Sequence, residues 1–268
     1  MPDDQTQEPC GAVVTTDFVR HRNVMLVQAD TGPLLVDYFL HQADHRLRPE
    51  PAHDALLRQA LAVFTLHCAA RPRNEHLAWT VGLQEPRLNL FLAGDNEDCT
   101  VTGRLFTENV REAPANVFYS EVMPGRGAEK RRSVVNFEGT DLVRAAETFY
   151  ATSEQRPARF FDRGDDRHAL LLALPDCDEA WLRSVDLAGL NALAGTETLT
   201  RIEHRLYRWN CGCNQRKILA ALAPVARGGL DGLFGEEEVI QVQCPRCAAG
   251  YAITREAMEA WLAGPASV

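Results

Sequence analysis

The sequence predicts an α+β fold, and three observations carry that prediction. Segments of alternating apolar and polar residues recur between 76 and 137, with turn residues between them. Helical patterns flank these strands instead of alternating with them one for one. Four of the eight cysteines fall in two close pairs within the last sixty residues. The expected organisation is a body of antiparallel sheets with packed helices over residues 1–177, a helical linker over 178–208 and a small C-terminal domain over 209–268.

Each element has a local reason. "VVTTDFV" and "NVMLVQA" are rich in β-branched and apolar residues and read as strands; "DTGP" at 30–33 reads as a turn. "LLVDYFLHQADHRL" has helical spacing. Pro51 opens a clearer helix whose stripe is Leu57, Leu61, Phe64 and Cys68, and "ARP" at 70–72 ends it. "HLAWTVGL", "RLNLFLAG", "CTVTGRLF" and "NVFYSEVM" alternate as antiparallel strands, and "SVVNFEGT" ends that region. A second amphipathic helix follows, with Thr140 as expected N-cap and Leu142, Ala145, Ala146, Phe149 and Tyr150 on one face. Pro157 breaks it, and "HALLLALP" reads as a buried strand. From about 178 the pattern is helical but carries Gly189 and Gly195 and no long apolar stripe, as expected of a connecting region.

Composition narrows the function classes. The chain has 268 residues, 46% hydrophobic and 24% charged, as in soluble globular proteins. Its longest apolar runs, "ALAVF" and "ALLLAL", fall far short of the roughly 18 residues a spanning helix needs. The start, "MPDDQTQEP", is polar and acidic and lacks the features of a secretory signal, so the expectation is a cytoplasmic protein with no membrane partner. Residues 1–200 carry 20 Lys+Arg against 30 Asp+Glu, and residues 201–268 carry 8 against 7. An acidic body with a near-neutral tail is poorly suited to nucleic acid, which requires a basic face. The basic run "EKRRS" at 129–133, next to "PGRG", reads as a solvated turn. Cys10, Cys68, Cys99 and Cys177 are scattered and read as free thiols in a reducing compartment, with Cys68 a small core residue.

The remaining cysteines carry chemistry. "NCGCNQRK" gives Cys211 and Cys213, and "QCPRC" gives Cys244 and Cys247, with thirty residues between the pairs. Two such pairs fit a tetrahedral four-thiolate zinc site, each pair holding one edge. The spacer can fold back. Asn214 is a candidate N-cap for a helix bearing Ile218, Leu219 and Leu222, which Pro224 and "RGG" should break; "EEEVIQVQC" returns as a strand. Ala248 and Gly250 then turn the chain. Ile253 and Met258 are placed as a hydrophobic staple around a helix starting at Thr254, with Met258, Trp261 and Leu262 on its buried face. A tetrahedron with zinc–sulfur distances of about 2.3 Å puts sulfurs about 4 Å apart. A disulfide needs about 2 Å. A pair therefore cannot be oxidised while both of its sulfurs keep the metal. Loss of zinc, whose apparent affinity in small domains is about 10–16 kcal/mol, should unfold a module that buries little core.

These motifs resemble those of the redox-regulated 33 kDa heat-shock chaperone family. The CxC, the thirty-residue spacer and the CxxC match its tail, and "VFYSEV", "SVVNFEGTDLV", "FYATSEQRPARFF" and "LLLALP" follow its order in the body. The resemblance implies an ATP-independent holdase whose partners are unfolding client proteins. In the reduced state Cys211, Cys213, Cys244 and Cys247 would ligate one zinc ion. Under oxidants, Cys211–Cys213 and Cys244–Cys247 disulfides would form, zinc would leave, and the tail and linker would unfold. A reduced monomer and an oxidised homodimer are also implied. The sequence departs from the family pattern in two places. "LQEPRLNL" stands where a glycine-rich turn is usual, and "RLYRW" runs almost directly into "NCGC". If the usual linker length is missing, client binding is expected to be weaker or less dependent on oxidation.

Two other classes fit the sequence less well. Four thiolates leave zinc no open position for a catalytic water. The chain also has no His-x-Glu, Gly-x-Ser-x-Gly or His-Glu-x-x-His motif, and its two lysines, Lys130 and Lys217, lie in no phosphate loop, so it reads as a non-enzyme. His41 and His45 could share a metal, but with no third ligand they read as an exposed helix face. A zinc-stabilised partner-binding module without redox control is the remaining alternative.

Overall fold

The computed structural model describes residues 11–125 and 129–264. Cys10 and residues 126–127 of the "PGRG" turn lie outside them. The chain divides into two compact units: Met1–Leu40 with Pro49–Asn210, and His41–Arg48 with Cys211–Val268.

The larger unit is built on a ten-stranded sheet, as the strand-rich α+β pattern predicts. Its elements are β1 (Ala12–Val19), β2 (Val24–Asp30), α1 (Gly32–Asp44, of which residues 41–44 belong to the smaller unit), α2 (Pro51–Ala69), β3 (His76–Gln84), β4 (Arg87–Asp95), β5 (Thr100–Phe106), β6 (Asn116–Met123), β7 (Arg131–Phe137), α3 (Leu142–Thr152), β8 (Ala158–Asp162), β9 (Arg167–Ala173), α4 (Glu179–Ser184), α5 (Leu187–Thr196) and β10 (Leu199–Trp209). Two antiparallel halves, β7-β6-β3-β4-β5 and β10-β1-β2-β9-β8, make up the sheet. They join by a short parallel contact, Arg208 opposite Thr100 and Trp209 opposite Val101.

α2 holds the halves together. Pro51 supplies the preset φ of its first turn, and every residue from Ala60 to Ala69 is buried. The helix packs on β1, β2, β4, β5 and β9 as well as on α3. Its stripe is as the sequence predicts: Leu57, Leu61, Phe64 and Cys68 are all buried. The approach to β4 is close, since a Cβ at Gly94 would lie 2.6 Å from the Cys68 sulfur and 3.2 Å from Phe64 Cε1. Phe64, Trp79, Phe118, Phe149 and Tyr150 form a contiguous aromatic core around His67. His67 Nδ1 lies 2.7 Å from the Tyr150 hydroxyl, and burial keeps the imidazole neutral, well below its usual titration range.

Four local expectations are corrected. α3 is capped by Asp141 instead of Thr140; its carboxylate accepts from the Val143 and Arg144 amides. Part of "EKRRS" is strand, because Arg131 and Arg132 pair with Val122 and Glu121 in β7, an edge strand. The cations meet acids there, Lys130 with Glu121 at 2.9 Å and Arg131 with Glu75 at 3.2 Å, so that edge is charged and guarded. The "DTGP" turn leads straight into α1 at Gly32. The helical reading of 178–208 holds for α4 and α5 but fails from Leu199, where β10 begins. Arg205, Tyr207 and Trp209 are buried on every second residue, a strand period that the helical reading passed over. α4 and α5 also have an apolar set: Leu182, Val185, Leu190 and Leu193 pack with Val19, Val24, Leu26 and Leu171.

Candidate metal centre

The site is assembled from two turns. β10 ends at Trp209, and the Asn210 amide donates to the Val101 carbonyl at 2.9 Å. Cys211, Gly212 and Cys213 follow at once. Gly212 takes φ 61°, a left-handed conformation that suits glycine and reverses the chain between the two thiols. Lys217 Nζ donates to the Gly212 carbonyl at 2.7 Å. Asn214 caps α6 (Gln215–Ala226) as expected, its side chain accepting from the Lys217 amide. Ile218 and Leu219 are buried. Pro224 does not end α6; the helix runs two residues further, to Ala226, before "RGG" terminates it.

The second turn sits on a hairpin. α7 (Asp231–Phe234) leads to β11 (Val239–Gln243), which pairs with β12 (Gly250–Thr254) in register from Val239 opposite Thr254 to Gln243 opposite Gly250. Between them, the Cys244 amide donates to the Ala249 carbonyl at 2.8 Å and the Ala248 amide to the Cys244 carbonyl at 3.0 Å. Ala248 makes the reversal at φ 66°, while Gly250 belongs to the strand. Thr254 caps α8 (Arg255–Ala263), its hydroxyl accepting from the Ala257 amide. Ile253 and Met258 are both fully buried, as a staple requires.

The structure brings all four predicted cysteines together. One sulfur from each of Cys211, Cys213, Cys244 and Cys247 lies within 4.8 Å of the others, a cluster that could hold a metal ion. Cys211 and Cys244 sulfurs are 3.7 Å apart, and those of Cys213 and Cys247 are 3.5 Å apart. Both separations match the edge of a four-thiolate tetrahedron, about 3.8 Å for metal–sulfur distances of about 2.3 Å, and exceed a disulfide bond. Cys244 and Cys247 are buried; Cys211 and Cys213 are half-buried. The cluster favours a thiolate at Cys211, which is held down to about 5, first by hydrogen bonding from Cys247, with the Arg246 charge and the other thiols adding. Cys247 correspondingly holds its proton more tightly. Burial, the first cause, also raises Cys213. Cys68, Cys99 and Cys177 are free thiols away from this cluster.

Sequence reasoning missed three neighbours of the cluster. The Tyr251 hydroxyl lies 3.0 Å from the Cys213 sulfur. His41 Nε2 lies 3.0 Å from the Cys247 carbonyl, to which only a nitrogen-bound proton can donate. The His41 and His45 rings are 4.6 Å apart, and His45 lies 6.2 Å from the Tyr251 ring. The two histidines are thus half-buried beside the thiols, which corrects the exposed-face reading. Their spacing within one helix gave no hint of a partner 206 positions away. Tyr251 had one legible signal, an aromatic residue on a strand directly after the CxxC turn.

Fold and site together define a class: an α+β body followed by a small module whose four thiols can hold a metal ion. The chain belongs to the Hsp33 family, because the family model described as Hsp33 protein matches residues 34–254. It is similar to the 33 kDa chaperonin of Nitrosococcus oceani, 25% identical over 154 residues covering 50% of this chain and 53% of that one. It is similar also to the 33 kDa chaperonin of Ectopseudomonas mendocina, 26% identical over 182 residues covering 58% and 61%. The matched region spans between half and two-thirds of the length of these curated relatives. The fold matches the crystal structure of a 33 kDa chaperonin (heat shock protein 33 homolog) from Thermotoga maritima with a TM-score of 0.70, covering 94% of this chain and 98% of that one at 16% identity. Among the described residues, no helix is long and apolar enough to cross a membrane.

Proposed function

We propose that this protein is a redox-regulated, ATP-independent holdase chaperone that binds unfolding proteins and keeps them from aggregating under oxidative stress. In the reduced, inactive state Cys211, Cys213, Cys244 and Cys247 hold one zinc ion, which cross-links the two turns of the small unit. The observation that carries this reading is the convergence of two thiol pairs, thirty residues apart in sequence, at sulfur separations that suit a tetrahedral thiolate site. The family membership and the relatives' name, 33 kDa chaperonin, support the chaperone class.

Activation follows from incompatible distances. When peroxide oxidises Cys211 with Cys213, and Cys244 with Cys247, each pair of thiolates gives up two electrons. One S–S bond forms, one O–O bond breaks, and two protons are taken up as two waters form. Sulfurs bonded at about 2 Å can no longer occupy a tetrahedral edge of about 3.8 Å. The small unit then loses its cross-link and unfolds, and apolar surface becomes available to clients. A cytoplasmic location, a reduced monomer, an oxidised homodimer and the absence of enzymatic activity complete the proposal.

The test is to add peroxide to the reduced, zinc-loaded protein and follow metal release together with aggregation of a heat-denatured client. Release accompanied by suppressed aggregation is the expected result. Release with no protection of the client would leave a zinc-stabilised partner-binding module as the better reading. Cys244→Ser should bind zinc more weakly and lose redox control; normal binding and switching by that variant would remove Cys244 from the site.

A further inference from the structure

We propose that Tyr251 is a positioning residue for the thiol centre: its hydroxyl donates a hydrogen bond to the Cys213 sulfur and restrains that sulfur from leaving the metal and reacting with oxidant. This inference rests on the zinc and redox reading above and adds to it a residue that controls how readily the site opens.

The geometry carries it. Tyr251 is fixed by the β11–β12 ladder, opposite Val242, and its hydroxyl reaches 3.0 Å from Cys213. Cys213 belongs to the first thiol pair, whereas Tyr251 belongs to the hairpin that holds the second. The contact therefore bridges the two turns independently of any metal. The proton direction follows from the chemistry. A metal-bound cysteine is a thiolate with no proton to give, so the phenol must be the donor. Hydrogen bonds to an ionised acceptor are roughly twice as strong as neutral ones. The opposite turn has its own brace, His41 Nε2 to the Cys247 carbonyl, but that contact reaches backbone and leaves the sulfur alone. Tyr251 acts on a ligand atom.

The consequence for oxidation is specific. Peroxide reacts when a sulfur lone pair attacks one oxygen. An S–O bond forms, the O–O bond breaks, hydroxide leaves, and the sulfur is oxidised by two electrons. The neighbouring thiolate then displaces the sulfenic oxygen as hydroxide, the disulfide closes, and each of the two hydroxides takes up a proton to become water. A phenol proton shared with Cys213 withdraws electron density from that lone pair and slows the first attack there. Contacts of this kind beyond the ligands change metal affinity by about 10- to 100-fold when removed.

Tyr251→Phe keeps the ring and deletes the donor. The full-length variant should bind zinc about 10- to 100-fold more weakly in chelator competition, and its Cys213 should be alkylated or oxidised sooner in time-resolved mass mapping. The sulfur-to-metal charge-transfer band of the cobalt-substituted protein should shift as well. A merely structural role would leave that band in place. Site-specific replacement of Tyr251 by a fluorotyrosine, a stronger donor of nearly the same shape, should move affinity and oxidation rate in the opposite direction; it serves as the test should the phenylalanine variant fail to fold. Equal zinc affinity, an unshifted cobalt band and unchanged Cys213 reactivity in a folded variant would overturn the assignment. If the unsubstituted protein itself bound no zinc, or kept it under peroxide, the failure would lie in the function proposed above and not in Tyr251.

Discussion

The two compact units of this protein are stable for different reasons. The larger buries long apolar side chains in depth: α2 is enclosed for ten consecutive residues, and the aromatic core around His67 has Phe64, Phe118, Phe149 and Tyr150 at 1% exposure or less. Each such side chain contributes about 1.5–3 kcal/mol. In the smaller unit the buried apolar set is short, chiefly Ile218, Leu219, Phe234, Ile253 and Met258 with a few alanines, and two of its buried residues are thiols of the cluster. A core that small rarely suffices on its own. The difference teaches where a switch can be placed. Under the function proposed above, a unit cross-linked through four sulfurs would be opened by chemistry at those sulfurs, while a unit held by burial would persist through the same chemistry.

The sharpest way to break this comparison is to remove the cross-link alone. Chelation of the reduced protein should abolish amide protection across 211–264 while 12–209 stays protected, since a metal contribution of about 10–16 kcal/mol rivals a whole domain's stability of about 5–15 kcal/mol. Hydrogen exchange read by mass spectrometry checks this, and loss of protection in both regions together would mean that the units do not differ as described. Next in size is Phe64→Ala, which empties a site packed between Trp79 and the strand at Gly94. It should cost the larger unit about 3–5 kcal/mol in denaturant melts and leave zinc affinity unchanged. Thr254→Ala is the smallest. It deletes the hydroxyl that caps α8 and should cost the smaller unit about 1 kcal/mol, visible in the chelated protein's residual helicity or as a modest fall in apparent zinc affinity.

Much of this was legible in sequence because the signals are local. Pro51 and the stripe at Leu57, Leu61, Phe64 and Cys68 announce α2. Asn214, Thr254, Ile253 and Met258 mark the ends of α6 and α8 through capping chemistry that acts within four residues. The helical reading failed at Leu199–Trp209 because the helical pattern upstream was carried on past Thr198, where the alternation of Arg205, Tyr207 and Trp209 marks a strand. Pro224 did not itself end α6, which runs two residues past it to Ala226 before "RGG". Thr140 lost the cap of α3 to Asp141 by one position, the usual scale of uncertainty at helix ends.

The sequence by itself determined the composition of the site: two thiol pairs, their spacing, and the helices and strand able to fold one pair back on the other. Tertiary structure alone decided how that site is braced. The Tyr251 hydroxyl reaches a cysteine 38 positions away, and His41 reaches a carbonyl 206 positions away. Spacing rules describe what one helix or turn can bring together. Contacts between remote segments depend on how whole elements pack, and no local pattern encodes that.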